Sequence, residues 1–298
     1  MMAIYKKIFW LIIILVILAI VLSYVKSIML YHPIPANIEK YDKFYQRLIQ
    51  LTESKKYVLN YIVPTIDGIL LDTVYVKNPD TNKCIIFFHG NAGNISMRFD
   101  IIKFLYHYAS IIIFDYRSFG KSTGDSTLLS ANNLKKDADA IWNFAITNLN
   151  IDPNNISFFG ESLGCAIAIS LAADLSKTMD SGYYPHSIIC NSPFNSLASM
   201  VEVTFNKINL DFIGKLLSFF MGSEYRSDEL IKYVNHKTKI ILAHSPRDEI
   251  VPYNEGRRLY SAISQVHPNV KFINITGTHN NLGLTDQYIY ALADLYDD

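Results

Sequence analysis

The sequence predicts an α/β protein: a mostly parallel, doubly wound sheet with a starting hairpin and a small helical cap, behind one N-terminal transmembrane helix. Three observations carry this. Apolar strand-like runs alternate with helical stretches from residue 84 onward, a period-two pattern precedes them, and an uncharged apolar run opens the chain.

Composition sets the bounds. A chain of 298 residues buries a core without disulfide or metal staples. The 27 basic and 27 acidic residues balance, which argues against broad binding to nucleic acid. Half the residues are apolar, so large-scale disorder is excluded. Cys84, Cys165 and Cys190 are odd in number and sit in apolar runs, as three buried thiols would. No Cys/His spacing suggests zinc, and neither metal nor cofactor is expected.

The opening run, residues 8–25, reads IFWLIIILVILAIVLSYV, with Lys6-Lys7 before it and Lys26 after it. Eighteen helical residues span roughly 27 Å, close to the hydrocarbon thickness of a bilayer. Trp10 and Tyr24 suit the two headgroup layers. The run is apolar all round, unlike a surface helix, and lacks a good small-residue cleavage site, so an uncleaved signal anchor is expected. The nearest lysines favour an inside N-terminus, placing the body on the non-cytoplasmic side.

Residues 26–56 are expected to be a juxtamembrane linker containing one helical pattern, YDKFYQRLIQL. The body is expected over 57–298. It opens with a hairpin, 57–63 and 69–76, around Pro64-Thr65-Ile66-Asp67-Gly68. Six buried strands follow at 84–88, 111–114, 156–159, 188–190, 240–243 and 270–275, each a near-continuous apolar run. Helices are expected near 96–109, 127–149, 163–177, 254–266 and 284–297. The interval 193–238 is too long for a plain crossover and is expected to hold the cap.

One motif carries chemistry. Gly160-Glu161-Ser162-Leu163-Gly164 joins a strand to an Ala-rich helix, CAIAISLAADLS. G-x-S-x-G in that context is a sharp turn that lifts a serine hydroxyl above the sheet edge, and the small flanking residues leave room for it. A serine needs a base, and the base needs an orienting acid. Asp248 follows the strand at 240–243, and His279 follows the last strand. All three candidates thus lie beyond carboxyl ends of strands, where open α/β sheets bind ligands. Glu249 is the rival acid, and Asp248 alternatively caps the next helix. For the oxyanion hole, the candidates are the backbone N–H groups of Leu163 and of Asn91, in the loop His89-Gly90-Asn91-Ala92-Gly93-Asn94. His89 and His244 read as structural, and His267 as a surface turn residue. The loop DYRSFGKSTG after the second parallel strand matches no phosphate motif and reads as a wall of the site.

HGNAGN, DYRSFGKSTG, GESLG, NSPF, SPRDEIVP and GTHN, in this order, resemble the Bem46/ABHD13-like branch of the α/β-hydrolases over roughly residues 57–298. The resemblance implies the α/β-hydrolase fold, a single-pass membrane protein, and Ser162, Asp248 and His279 as a triad. Cys165 and Ser118 stand where many relatives have glycine. A serine nucleophile implies an acyl-enzyme on a carboxylic ester or thioester. The apolar cap segment from Leu210 to Met221 and the tether favour a lipophilic acyl group. The expected partners are that substrate, as a lipid or lipidated protein, and the membrane, with no nucleic acid. A serine peptidase of the same fold, and a catalytically idle scaffold that binds proteins, are the alternatives.

Overall fold

The computed structural model describes residues 30–178, 183–207, 209–221 and 224–296, with positions 5, 6, 8–10, 12, 13 and 27 before them. Most of the apolar run at 8–25 lies outside these residues. Among the described residues no helix is long and apolar enough to cross a membrane.

In chain order the main elements are α1 (Ile38–Leu51), the hairpin β1 (Val58–Pro64) and β2 (Leu70–Val76), β3 (Cys84–Phe88), α2 (Phe99–Leu105) and β4 (Ser110–Phe114). There follow α3 (Ala131–Thr147), β5 (Ile156–Glu161), α4 (Leu163–Thr178), β6 (Ser187–Asn191), α5 (Leu197–Asn206) and α6 (Asp211–Phe220). The chain ends with β7 (Lys239–His244), α7 (Tyr253–Ser264), β8 (Val270–Asn274) and α8 (Asp286–Tyr296). The eight strands form one sheet in the order β8-β7-β6-β5-β3-β4-β2-β1. Strands β3 to β8 run parallel; β1 and β2 are antiparallel additions at the β4 edge.

The continuous apolar runs explain the layers. In β3, Cys84, Ile86 and Phe88 enter the core cluster on one face, while Ile85 and Phe87 enter the cluster on the other. Period-two alternation in a strand apolar at every position buries both faces, so helices must cover both. Helices α3, α4 and α7 cover one face, and α1, α2 and α8 the other. The order reverses at β3: the chain goes from β3 to β4 on one side, then returns to β5 on the other. Such a switch point opens a crevice at the carboxyl ends of the strands.

The main correction concerns residues 26–56, expected as a linker. From Tyr31 to Leu51 this stretch is part of the body. His32–Pro33 pairs in parallel with Ala92–Gly93. Helix α1 starts at Asn37, whose side chain accepts from the Lys40 N–H (3.0 Å). It buries Tyr41, Phe44 and Leu48, spaced as one helical face. The Tyr41 hydroxyl donates to the buried Asp115 carboxylate, 74 residues away. Three buried apolar side chains contribute roughly 5 to 9 kcal/mol, comparable to the whole stability of a domain. Deleting residues 1–26 is therefore expected to leave a body that melts cooperatively, whereas deleting 1–51 is expected to abolish the transition in a circular-dichroism melt. A cooperative melt from the shorter chain would contradict this packing.

Smaller differences have local causes. The last strand ends at Asn274, and beyond it Thr276–Thr278 pairs with Asn281–Gly283 as an extra hairpin. The three thiols are free and buried, as expected. Ser118 stands at φ 68, a left-handed conformation that glycine adopts without steric cost.

Candidate active site

Ser162 sits between β5 and α4 with φ 52. A non-glycine residue held there costs roughly 1 to 3 kcal/mol, which the surrounding chain must over-determine. It does so by close approach. A Cβ on Gly160 would lie 2.6 Å from the Cys165 backbone, and a Cβ on Gly164 would overlap the Phe88 carbonyl oxygen. The Ser162 N–H donates to the Asn191 carbonyl (2.9 Å), fixing the turn to β6. The Leu163 side chain is buried, and its N–H opens α4, where no intrahelical acceptor exists.

His279 occupies the turn of the extra hairpin, and Asp248 the loop after β7. His279 Nδ1 lies 2.8 Å from Asp248 Oδ2 and 3.0 Å from Oδ1. A carboxylate only accepts, so Nδ1 carries the proton and Nε2 is left as a base. Asp248 Oδ1 also accepts from the Ile250 and Val251 N–H groups (3.0 and 2.8 Å). Burial alone would raise the Asp248 carboxyl, but hydrogen bonds from His244 and His279 outweigh it and hold the group well below the usual carboxylate range. Glu249, the rival acid, instead accepts from the His279 backbone N–H (3.1 Å). Ser245 Oγ donates to the Gly277 carbonyl (2.6 Å), tying the two loops together.

Ser162 and His279 line one cleft of about 720 Å³ together with Gly90, Asn91, Glu161, Asn191 and Ser192. Gly90 packs directly on Ser162: a Cβ there would lie 3.8 Å from the serine Cβ. The loop carrying Asn91 is held from outside by the reassigned N-terminal stretch. Asn91 Nδ2 donates to the Leu30 carbonyl (2.8 Å), the His32 N–H donates to the Asn91 carbonyl (2.9 Å), and Asn94 Nδ2 donates to the Ile34 carbonyl (3.0 Å).

His89, read as a brace, is fully buried against Tyr116 and Phe119, with Nδ1 2.7 Å from the Gly90 carbonyl. Burial, reinforced by Arg98, lowers its pKa to about 3, so it is neutral at working pH. His267 is buried rather than a surface residue; its Nε2 lies 3.0 Å from the Asn235 carbonyl.

Two features escaped the sequence reading. His244 is buried with Nε2 3.0 Å from the Val251 carbonyl and 3.3 Å from Asp248 Oδ2, so it supports the carboxylate as well as the fold. No local periodicity signals this contact, because His244 ends β7 and Asp248 lies in the loop beyond it. Arg98 and Glu161 pair across the cleft wall (2.9 Å), and burial raises the Glu161 carboxyl despite that partner. Only the fold brings these two together. Among the described residues no cluster of His, Cys, Asp or Glu could hold a metal.

Comparison with known proteins follows the same lines. The family model described as alpha/beta hydrolase fold matches residues 83–183. The chain is 54% identical over 277 residues to uncharacterized protein R595 of Acanthamoeba polyphaga mimivirus, covering 93% of this chain and 94% of that one. It is 27% identical over 239 residues to protein bem46 of Schizosaccharomyces pombe, covering 77% of this chain and 73% of that one. A solved structure of the Pyrococcus furiosus esterase Pf2001 superposes with a TM-score of 0.59 at 20% identity, covering 75% of this chain and 83% of that one.

Proposed function

The chain belongs to the Bem46-like group of the α/β-hydrolase superfamily, and from that premise we propose that it is a membrane-tethered serine hydrolase that cleaves carboxylic esters or thioesters of lipophilic acyl groups. The observation that carries the reading is the pairing of His279 Nδ1 with Asp248 at the cleft that also holds Ser162 on its strand-to-helix turn. Ser162 Oγ attacks the acyl carbonyl while His279 Nε2 takes its proton. The oxyanion faces the N–H groups of Leu163 and Asn91. The imidazolium then gives the proton to the departing alcohol or thiol, and water repeats the sequence to release the acid and free the serine. Asp248 holds the tautomer and stabilises the imidazolium without itself becoming protonated.

The lipophilic preference is supported by the cleft wall, where Ile34, Met97, Ile101, Phe104 and Leu284 give an apolar side and the volume suits a small-molecule ligand. The tether is residues 8–25, with the body on the non-cytoplasmic side as the flanking lysines favour. Each methylene buried in the cleft contributes about 0.8 kcal/mol, about fourfold in kcat/KM. Octanoate has six more methylenes than acetate, and burial of two of them suffices for p-nitrophenyl octanoate, below its critical micelle concentration, to exceed the acetate ester by about tenfold or more in kcat/KM. An acetate ester cleaved as efficiently as the octanoate would overturn the lipophilic assignment.

A further inference from the structure

Among the described residues, helix α6 presents an exposed apolar face. Its inner face is occupied: a Cβ on Gly214 would lie 2.8 Å from the Phe205 Cβ of α5, and Ser218 Oγ donates to Glu202 Oε1 (2.7 Å). The outer face carries Phe212 (80% exposed), Ile213 (41%), Leu216 (49%) and Phe219 (81%), at positions i, i+1, i+4 and i+7. That is one stripe of a helix. Exposed Lys215 rises beside it, and exposed Lys207 and Asp211 stand at its entrance.

The position of this stripe in the chain identifies what covers it. Tyr225, just beyond α6, shares a buried hydrogen bond with Tyr31 (2.7 Å between hydroxyl oxygens). Tyr31 stands six residues after the end of the apolar run 8–25, a reach of about 20 Å at most. Tyr225 stands five residues after Phe220, a reach of about 17 Å. Where residues 8–25 enter a bilayer, α6 is held beside the same surface. We propose that the outer face of α6 docks into the interfacial layer of the leaflet from which the body emerges, as a second membrane contact.

The consequence reaches the cleft. Helix α5 starts six residues after Asn191, which lines the cleft with Ser192, and Ile34, three residues after Tyr31, lines it too. Docking through α6 thus holds the cleft near the leaflet. The proposal rests on the tether of the proposed function, not on its serine chemistry.

A single thiol tests it. Cys84, Cys165 and Cys190 are buried, so a cysteine introduced as Phe219→Cys is the reactive one and takes a nitrobenzoxadiazole label. Asn154→Cys, on an exposed turn at the amino end of β5, away from the carboxyl ends where the cleft opens, is the control. The full-length chain is reconstituted into phosphatidylcholine vesicles, and flotation reports the tether. Doxyl-labelled lipid is expected to quench the label at 219 and aqueous iodide to spare it, with the reverse at 154. A floating protein whose label at 219 is quenched by iodide overturns the docking and leaves the tether standing. Protection from both quenchers also overturns it, because a protein surface, from this chain or a second copy, then covers the stripe. A chain that does not float overturns tether and docking together. None of these readouts depends on turnover.

Discussion

Ser162→Ala is expected to lower kcat on p-nitrophenyl esters by roughly 10⁴- to 10⁶-fold while leaving the thermal melt essentially unchanged. The size follows from the chemistry. Without Oγ there is no acyl-enzyme, and His279 has no proton to take. What remains is the cleft and two N–H donors acting on water. The near-constant melt follows from the geometry. The cost of Ser162 lies in its backbone at φ 52, which alanine shares, and the turn is held by the Asn191 carbonyl and by the glycine contacts. A Ser162→Ala enzyme with turnover near that of the natural chain would remove Ser162 from the mechanism.

Asp248→Asn is expected to cost roughly 10⁴-fold in kcat, by an argument from its hydrogen bonds. An amide has one acceptor oxygen. The Ile250 and Val251 N–H groups claim it, leaving the NH₂ to face His279 Nδ1 and His244 Nε2. To avoid opposed donors, His279 must move its proton to Nε2, and the base toward Ser162 is lost. Glu249→Gln is expected to change kcat little, because an amide oxygen still accepts from the His279 N–H. The reverse pattern would transfer the acid role to Glu249.

The same pair gives a pH signature. The folded Asp248 carboxyl is held below its ordinary value. Its stabilising contribution is therefore present above the unfolded value of about 3.9 and is lost as pH falls through the lower folded value. The natural chain is expected to melt above Asp248→Asn at neutral pH, with the gap closing in acid below about pH 4.

How far the sequence could be read depended on the range of the contacts involved. Strands β3 to β7 were legible because a strand buried on both faces is apolar nearly throughout, and Cys84–Phe88 was located to the residue. The positions of Ser162, Asp248 and His279 beyond strand ends followed from that count of strands. The packing of residues 31–51 did not. The amphipathic pattern of α1 was visible, but its partners lie far off in sequence: Tyr41 reaches Asp115, and Leu30 meets Asn91, 61 residues on. The two-residue pairing of His32–Pro33 with Ala92–Gly93 carries no periodicity at all. The hairpin bearing His279 has strands of three residues, too short for a period-two signal. His244 read as structural because a buried histidine at a strand end usually is; its bond to Asp248 exists only once the loop has turned.

The central claim is that Ser162 is a nucleophile activated by His279. The direct measurement is reaction of the full-length chain with a fluorophosphonate at neutral pH, with the adduct mapped by peptide mass spectrometry. The account predicts one adduct, on Ser162, absent from Ser162→Ala and formed far more slowly in Asp248→Asn. Equal labelling of the natural chain and Ser162→Ala would contradict it, as would a natural chain that takes up no probe.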